Sequence, residues 1–105
     1  MEERYIDFPG ASGQKYRYWV YMLGSRFERA PGNYIFTRAE AGGMTPVHIG
    51  ETADLRERFE GHHMMPCIRR NRATHICVHQ SPASGTTRRR EMNYLIDYWH
   101  PVCND

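Results

Sequence analysis

A chain of 105 residues with 40% hydrophobic and 12% aromatic content is too apolar to be disordered, long enough for one hydrophobic core and too short for two. A mean hydropathy of −0.74 leaves no membrane span, and the start MEERYIDFPGASG has the makeup of neither a secretory signal nor a transit peptide. The expectation is a soluble, cytoplasmic domain whose net charge of +2 does not by itself announce a nucleic-acid binder.

The first 15 residues mix a short apolar pattern, Tyr5, Ile6 and Phe8, with the turn formers Pro9, Gly10, Ser12 and Gly13. Residues 16–22, YRYWVYM, read as a strand from their aromatic and β-branched content. Residues 1–30 are therefore expected to add a strand or hairpin to a core of residues 31–105. An added hairpin either covers a sheet edge or pairs with a second copy of the chain.

Strands are expected at residues 33–37 and 46–49, joined by the turn Ala41-Gly42-Gly43. A helix then starts at Thr52 as N-cap, with Asp54 in its first turn and Leu55 and Phe59 as its apolar stripe. Pro66 breaks it and begins a short second helix displaying Arg69, Arg70 and Arg72. Residues 73–80 form a further strand, with Ile76 and Val78 on one face and His75, Cys77 and His79 on the other. The last helix, over residues 88–99 and capped by Thr87, buries Met92, Leu95, Ile96 and Trp99 at i, i+3, i+4, i+7 spacing. These elements predict an α/β (α+β) fold, a small three-stranded mixed or antiparallel sheet flanked by helices, beside the N-terminal strand or hairpin.

Chemistry-bearing residues concentrate between Gly32 and His62. Gly32-Asn33-Tyr34 opens one strand, where Tyr34 shares a face with Phe36, and His48-Ile49-Gly50 closes the next. Arg58 and His62 stand i,i+4 and should share the helix face turned toward both strands. Glu91 falls in the first turn of the last helix at the edge of its apolar stripe, where a carboxylate can meet a cation, and Asn104 follows Pro101. Each has an ordinary alternative: a core tyrosine, an arginine paired with Asp54 or Glu57, a glutamate serving the helix dipole.

This ordered set resembles the GIY-YIG nuclease superfamily over residues 31–104, with Gly32-x-Tyr34 and His48-Ile49-Gly50 as the two motifs, then Arg58, Glu91, Leu95-Ile96, Pro101 and Asn104. Two departures stand out. His48 occupies the place of the family's second tyrosine, and Glu51 follows where some relatives carry a basic residue. The resemblance implies a metal-dependent DNA endonuclease. Tyr34 or His48 would take the proton from water, Arg58 would bind the non-bridging oxygens, His62 would support the nucleophile or the phosphate, and Glu91 would hold one Mg²⁺ or Mn²⁺ ion at the leaving group. Gly32, Gly50 and Asn104 would shape the motif. That reading requires Tyr34, His48, Arg58 and Glu91 to converge on one pocket.

Thirteen of the fourteen basic residues are arginine, so Arg69, Arg70, Arg72, Arg88 and Arg89 are candidate backbone contacts, or simply solvated helix ends. The expected partner is DNA, branched or damaged, with a homodimer or a recruiting protein to supply target choice. Two other functions remain open: a catalytically silent nucleic-acid-binding module, favoured by His48 and Glu51, and a zinc-stabilised interaction domain using His75, Cys77 and His79 with Cys67 or His63. Three cysteines without a CxxC pair argue against a disulfide framework and for free thiols in a reducing compartment.

Overall fold

The computed structural model describes residues 4–104, so Met1 to Glu3 of the expected N-terminal extension and Asp105 lie outside the described residues. The chain runs β1 (Arg4–Pro9), β2 (Lys15–Met22), β3 (Gly32–Glu40), β4 (Gly43–Thr52), α1 (Leu55–Glu60), α2 (Met65–Arg70), β5 (His75–Gln80) and α3 (Gly85–Trp99). The fold is α+β, and the sheet has five strands in the order β1-β2-β5-β3-β4, every neighbour antiparallel. The expected three strands are its β5-β3-β4 part. The N-terminal hairpin enlarges the same sheet because β2 pairs with β5, Trp19 opposite Val78 and Tyr21 opposite Ile76.

Strict alternation along the strands gives the sheet two apolar faces. Tyr34, Phe36, Val47, Ile76 and Val78 pack with Leu55 of α1 and Ile68 of α2 on one. Phe8, Tyr18, Ile35, Ile49 and Cys77 pack with Leu95 of α3 on the other. The β3–β4 register shifts between Phe36, opposite His48, and Thr37, opposite Pro46, leaving Val47 as the extra residue. Bulges of this kind re-aim side chains, and Val47 and His48 are both buried here.

The helix starts differ from expectation for one reason: a nearby side chain is a better acceptor. Strand β4 continues through Thr52, and Asp54 caps α1 by accepting from the Glu57 N–H. Ser84 caps α3, accepting from the Thr87 N–H, so Thr87 is itself helical. Helix α1 ends at Glu60 with Gly61 as its C-cap, so His62 lies beyond it and not one helical turn after Arg58.

The thiol expectation is corrected too. Cys67 and Cys103 form a disulfide, and Cys77 alone is free and buried. Cys103 reaches α2 because the tail lies along β4: its N–H donates to the Val47 carbonyl at 3.0 Å, and Asn104 both accepts from the Ile49 N–H at 2.8 Å and donates to the Ile49 carbonyl at 2.7 Å. No helix among the described residues is long and apolar enough to cross a membrane.

Candidate active site

Tyr34 stands on the central strand β3, its ring buried between Phe36, Phe59 and His62. The two motif glycines acquire separate reasons. A Cβ on Gly50, directly opposite Tyr34, would lie 2.5 Å from the tyrosine Cζ and hydroxyl, so only glycine leaves room for the phenol. A Cβ on Gly32 would meet the His79 carbonyl at 2.9 Å, so Gly32 admits the neighbouring backbone of β5.

The Tyr34 hydroxyl oxygen is the hub of the site. Arg58 Nη1 donates to it at 3.2 Å, and His62 Nε2 lies 2.7 Å away. His62 Nδ1 accepts the Met64 N–H at 3.1 Å, which assigns the neutral ring's single proton to Nε2 and makes His62 a donor to Tyr34. Burial, followed by His48, His63 and Arg58 nearby, lowers the His62 pKa to about 4, so the ring is neutral at pH 7. Two N–H groups thus converge on one phenolic oxygen. Burial raises the Tyr34 pKa, while Arg58 opposes that rise, so the phenol keeps its proton at neutral pH.

His48 faces the same hub, its ring 4.8 Å from His62 and 6.0 Å from Tyr34. Its Nδ1–H donates to the Cys103 carbonyl at 2.8 Å, leaving Nε2 as the lone-pair nitrogen. Burial lowers its pKa and keeps it neutral, against the pull of that carbonyl. The tail therefore fixes which nitrogen of His48 can accept a proton, a role for residues 103 and 104 that spacing alone does not reveal.

Arg58 and His63 reach a surface cavity of about 460 Å³, which they line with Thr52, Asp54 and Glu57. Sequence reasoning offers His63 only as a fourth zinc ligand, whereas its ring stacks on His62 at 5.1 Å with 6° between planes. The only sequence signal for that stacking is that it adjoins His62.

Glu91 does not join this group, which corrects the expected convergence. It lies on the α3 face, 8% exposed, within the buried stripe rather than at its edge. Its Oε2 accepts from the Tyr18 hydroxyl at 2.5 Å and from His79 Nδ1 at 3.0 Å. That bond raises the His79 pKa, and burial, with Glu91 second, pushes the Tyr18 phenol well above its ordinary value. A Glu91 carboxylate aimed at Tyr18 and His79 does not fit a divalent ion serving Tyr34 and Arg58.

The basic residues divide as well. Arg88 is buried, its Nε donating to Glu51 at 3.1 Å and its Nη1 to the Ala83 carbonyl, so it is a structural ion pair and not a free backbone contact. This pairing accounts for an acid at position 51. Arg89 is exposed, 3.8 Å from Glu51, whereas Arg69 and Arg70 at the end of α2 and Arg72 in the turn after it are exposed on the opposite face. Asn33 donates to the Arg88 carbonyl at 2.8 Å, while its buried Oδ1 has no partner among the described residues.

The zinc ligand set is not assembled. Cys67 is disulfide-bonded, His79 is bound to Glu91 and His75 to Thr74. Among the described residues, no three His, Cys, Asp or Glu side chains are grouped to share a metal ion. Comparison with protein-family models, with curated proteins and with solved structures returns no match.

Proposed function

We propose that this chain is a DNA endonuclease that hydrolyses phosphodiester bonds at the Tyr34, His48, Arg58 and His62 cluster, the part of the GIY-YIG-like constellation that comes together without Glu91. One observation carries the reading: two N–H donors, Arg58 and neutral His62, meet on the oxygen of a protonated phenol beside a histidine whose lone-pair nitrogen is fixed. Those are the parts of an acid–base pair with an anion clamp.

In this reading His48 Nε2 takes the proton from the attacking water, whose oxygen bonds to phosphorus. The remaining Arg58 N–H groups hold the non-bridging oxygens as charge builds on them. The P–O3′ bond breaks, and the Tyr34 O–H protonates the departing oxygen. Arg58 and His62, already aimed at the Tyr34 oxygen, then stabilise the phenolate that is left. No step passes through an ion on Glu91. Mg²⁺ or Mn²⁺ belongs in the assay as the hard counter-ion of the phosphate substrate.

A second reading is a binding module in which the cluster only holds the fold. It is favoured by burial: Tyr34 is 0%, His62 5% and His48 7% exposed. Nicking of plasmid and branched DNA with Mg²⁺ or Mn²⁺ separates the two. The endonuclease reading expects cutting by the wild type, loss with His48→Ala and Arg58→Ala, and retention with Glu91→Gln at a temperature where that variant is folded. Binding without cutting by the wild type selects the second reading.

A further inference from the structure

The face that holds Tyr34 continues past the helices onto the N-terminal hairpin, where it changes character. Cross-strand pairing sets Tyr5, Trp19, Val78, Tyr34 and Gly50 in one row across all five strands, with Tyr21, Ile76, Phe36 and His48 in the next. At the hairpin end three aromatic rings stand in solvent, Tyr5 at 48%, Trp19 at 37% and Tyr21 at 43% exposure. Tyr5 and Trp19 meet edge to face at 5.4 Å, and the Arg17 guanidinium lies 3.8 Å over the Tyr5 ring. Three exposed aromatics on one sheet face exceed the scattered apolar residues of an ordinary surface.

The rings also lead somewhere. Tyr21 contacts Phe27 at 5.1 Å, Phe27 contacts Phe59 at 5.1 Å, and Phe59 contacts Tyr34 at 5.0 Å. Along this path lies a cavity of about 650 Å³ walled by Phe27, Phe36 and Phe59, with Arg26, Arg56 and Arg69 against the single carboxylate of Glu60. Planar apolar surfaces interleaved with guanidinium groups match a ligand that alternates flat rings with anions.

We propose that Tyr5, Trp19 and Tyr21, together with the cavity of Phe27, Arg26 and Arg69, form a stacking surface for unpaired nucleotides of single-stranded nucleic acid. Bases lie on the rings, and phosphates meet the arginines. A duplex keeps its base faces covered and cannot use such a surface. A second copy is a poorer occupant, because a two-fold interface on this face would bring together two patches in which Arg26, Arg56 and Arg69 outnumber Glu60. The proposal deepens the endonuclease reading by naming unpaired strands as substrate, and rests on that reading only for where the strand leads.

The test is fluorescence anisotropy with a labelled oligothymidylate and a blunt duplex of equal length, on the full chain, alongside sedimentation and thermal melting. The wild type is expected to favour the single strand. Trp19→Ala with Tyr21→Ala should weaken that binding by about tenfold or more per ring. Arg26→Ala with Arg69→Ala, at exposed positions, should flatten the dependence of log affinity on log salt by about 0.7 for each phosphate left without its arginine. This second variant decides the matter if the aromatic one fails to fold. Equal affinity for duplex, wild-type affinity in the folded variants, or a wild-type dimer that dissolves in the aromatic variant would each overturn the proposal. Binding through Trp19 without any cutting by the wild type would remove the endonuclease reading and leave this surface standing.

Discussion

The two faces of the sheet each bury a tyrosine hydroxyl beside a histidine, and they use it in opposite senses. Under α1, the Tyr34 oxygen receives N–H groups from Arg58 and His62. Under α3, the Tyr18 hydroxyl gives its hydrogen to Glu91, which also holds His79. Donors gathered on an oxygen favour negative charge there. A carboxylate that already accepts two bonds closes a network and holds α3 on β2 and β5. Similar residue types therefore give an oxygen surrounded by donors on one face and a closed carboxylate network on the other, and the difference lies in the sign of the charge beside the phenol.

The sharpest way to break this comparison is to exchange the consequences of the two charged partners. Arg58→Ala should lower cleavage by ~10²–10³ while costing about 1 kcal/mol of stability for its one hydrogen bond to Tyr34, read by nicking kinetics and urea denaturation. An activity loss matched by a comparable collapse in stability would make Arg58 a structural residue.

The pH dependence should next pull the two faces apart. The His62 pKa is depressed to about 4, so its contribution is present above the unfolded value and is lost as pH falls from about 6.5 toward 4, by roughly 3 kcal/mol. The His79 pKa is raised by Glu91, so its contribution is complete below the unfolded value and fades as pH climbs through the folded one. Denaturation between pH 4 and 8 should show His62→Gln flattening the acid limb and His79→Gln the alkaline limb. A wild-type acid limb in His62→Gln would contradict the assignment of the neutral ring.

Gly50→Ala should cost about 2–3 kcal/mol, because the new methyl group must displace the buried Tyr34 phenol. Its melting temperature checks this, and a neutral result would mean that the ring has room to move. Glu91→Gln should cost about 2 kcal/mol, as a charged acceptor shared by two donors becomes a neutral one. Loss of cleavage at unchanged stability would instead place Glu91 in the reaction and undo the separation of the faces.

Much of the fold was legible because alternation is a strong signal: Tyr34 with Phe36 against Ile35 with Cys77 falls out of strand geometry, and the buried stripe of α3 out of helical spacing. The sheet's width was not legible, since nothing local to residues 16–22 says that Trp19 will lie opposite Val78. Tyr34, His48, Arg58 and His62 came together as the motif spacing suggested, although His62 arrives from beyond the Gly61 cap. Glu91 was misplaced because one helix position cannot tell the edge of a stripe from its centre; Arg88, Glu91 and Leu95 are all buried. Cys67 with Cys103 was missed because their partnership depends on where the tail lies, a long-range fact absent from cysteine spacing.

The course of Cys103 and Asn104 along β4 has a consequence for how molecules of this protein can join. The middle of that margin is already occupied by residues 103 and 104, so a neighbour's backbone cannot pair along the whole length of β4.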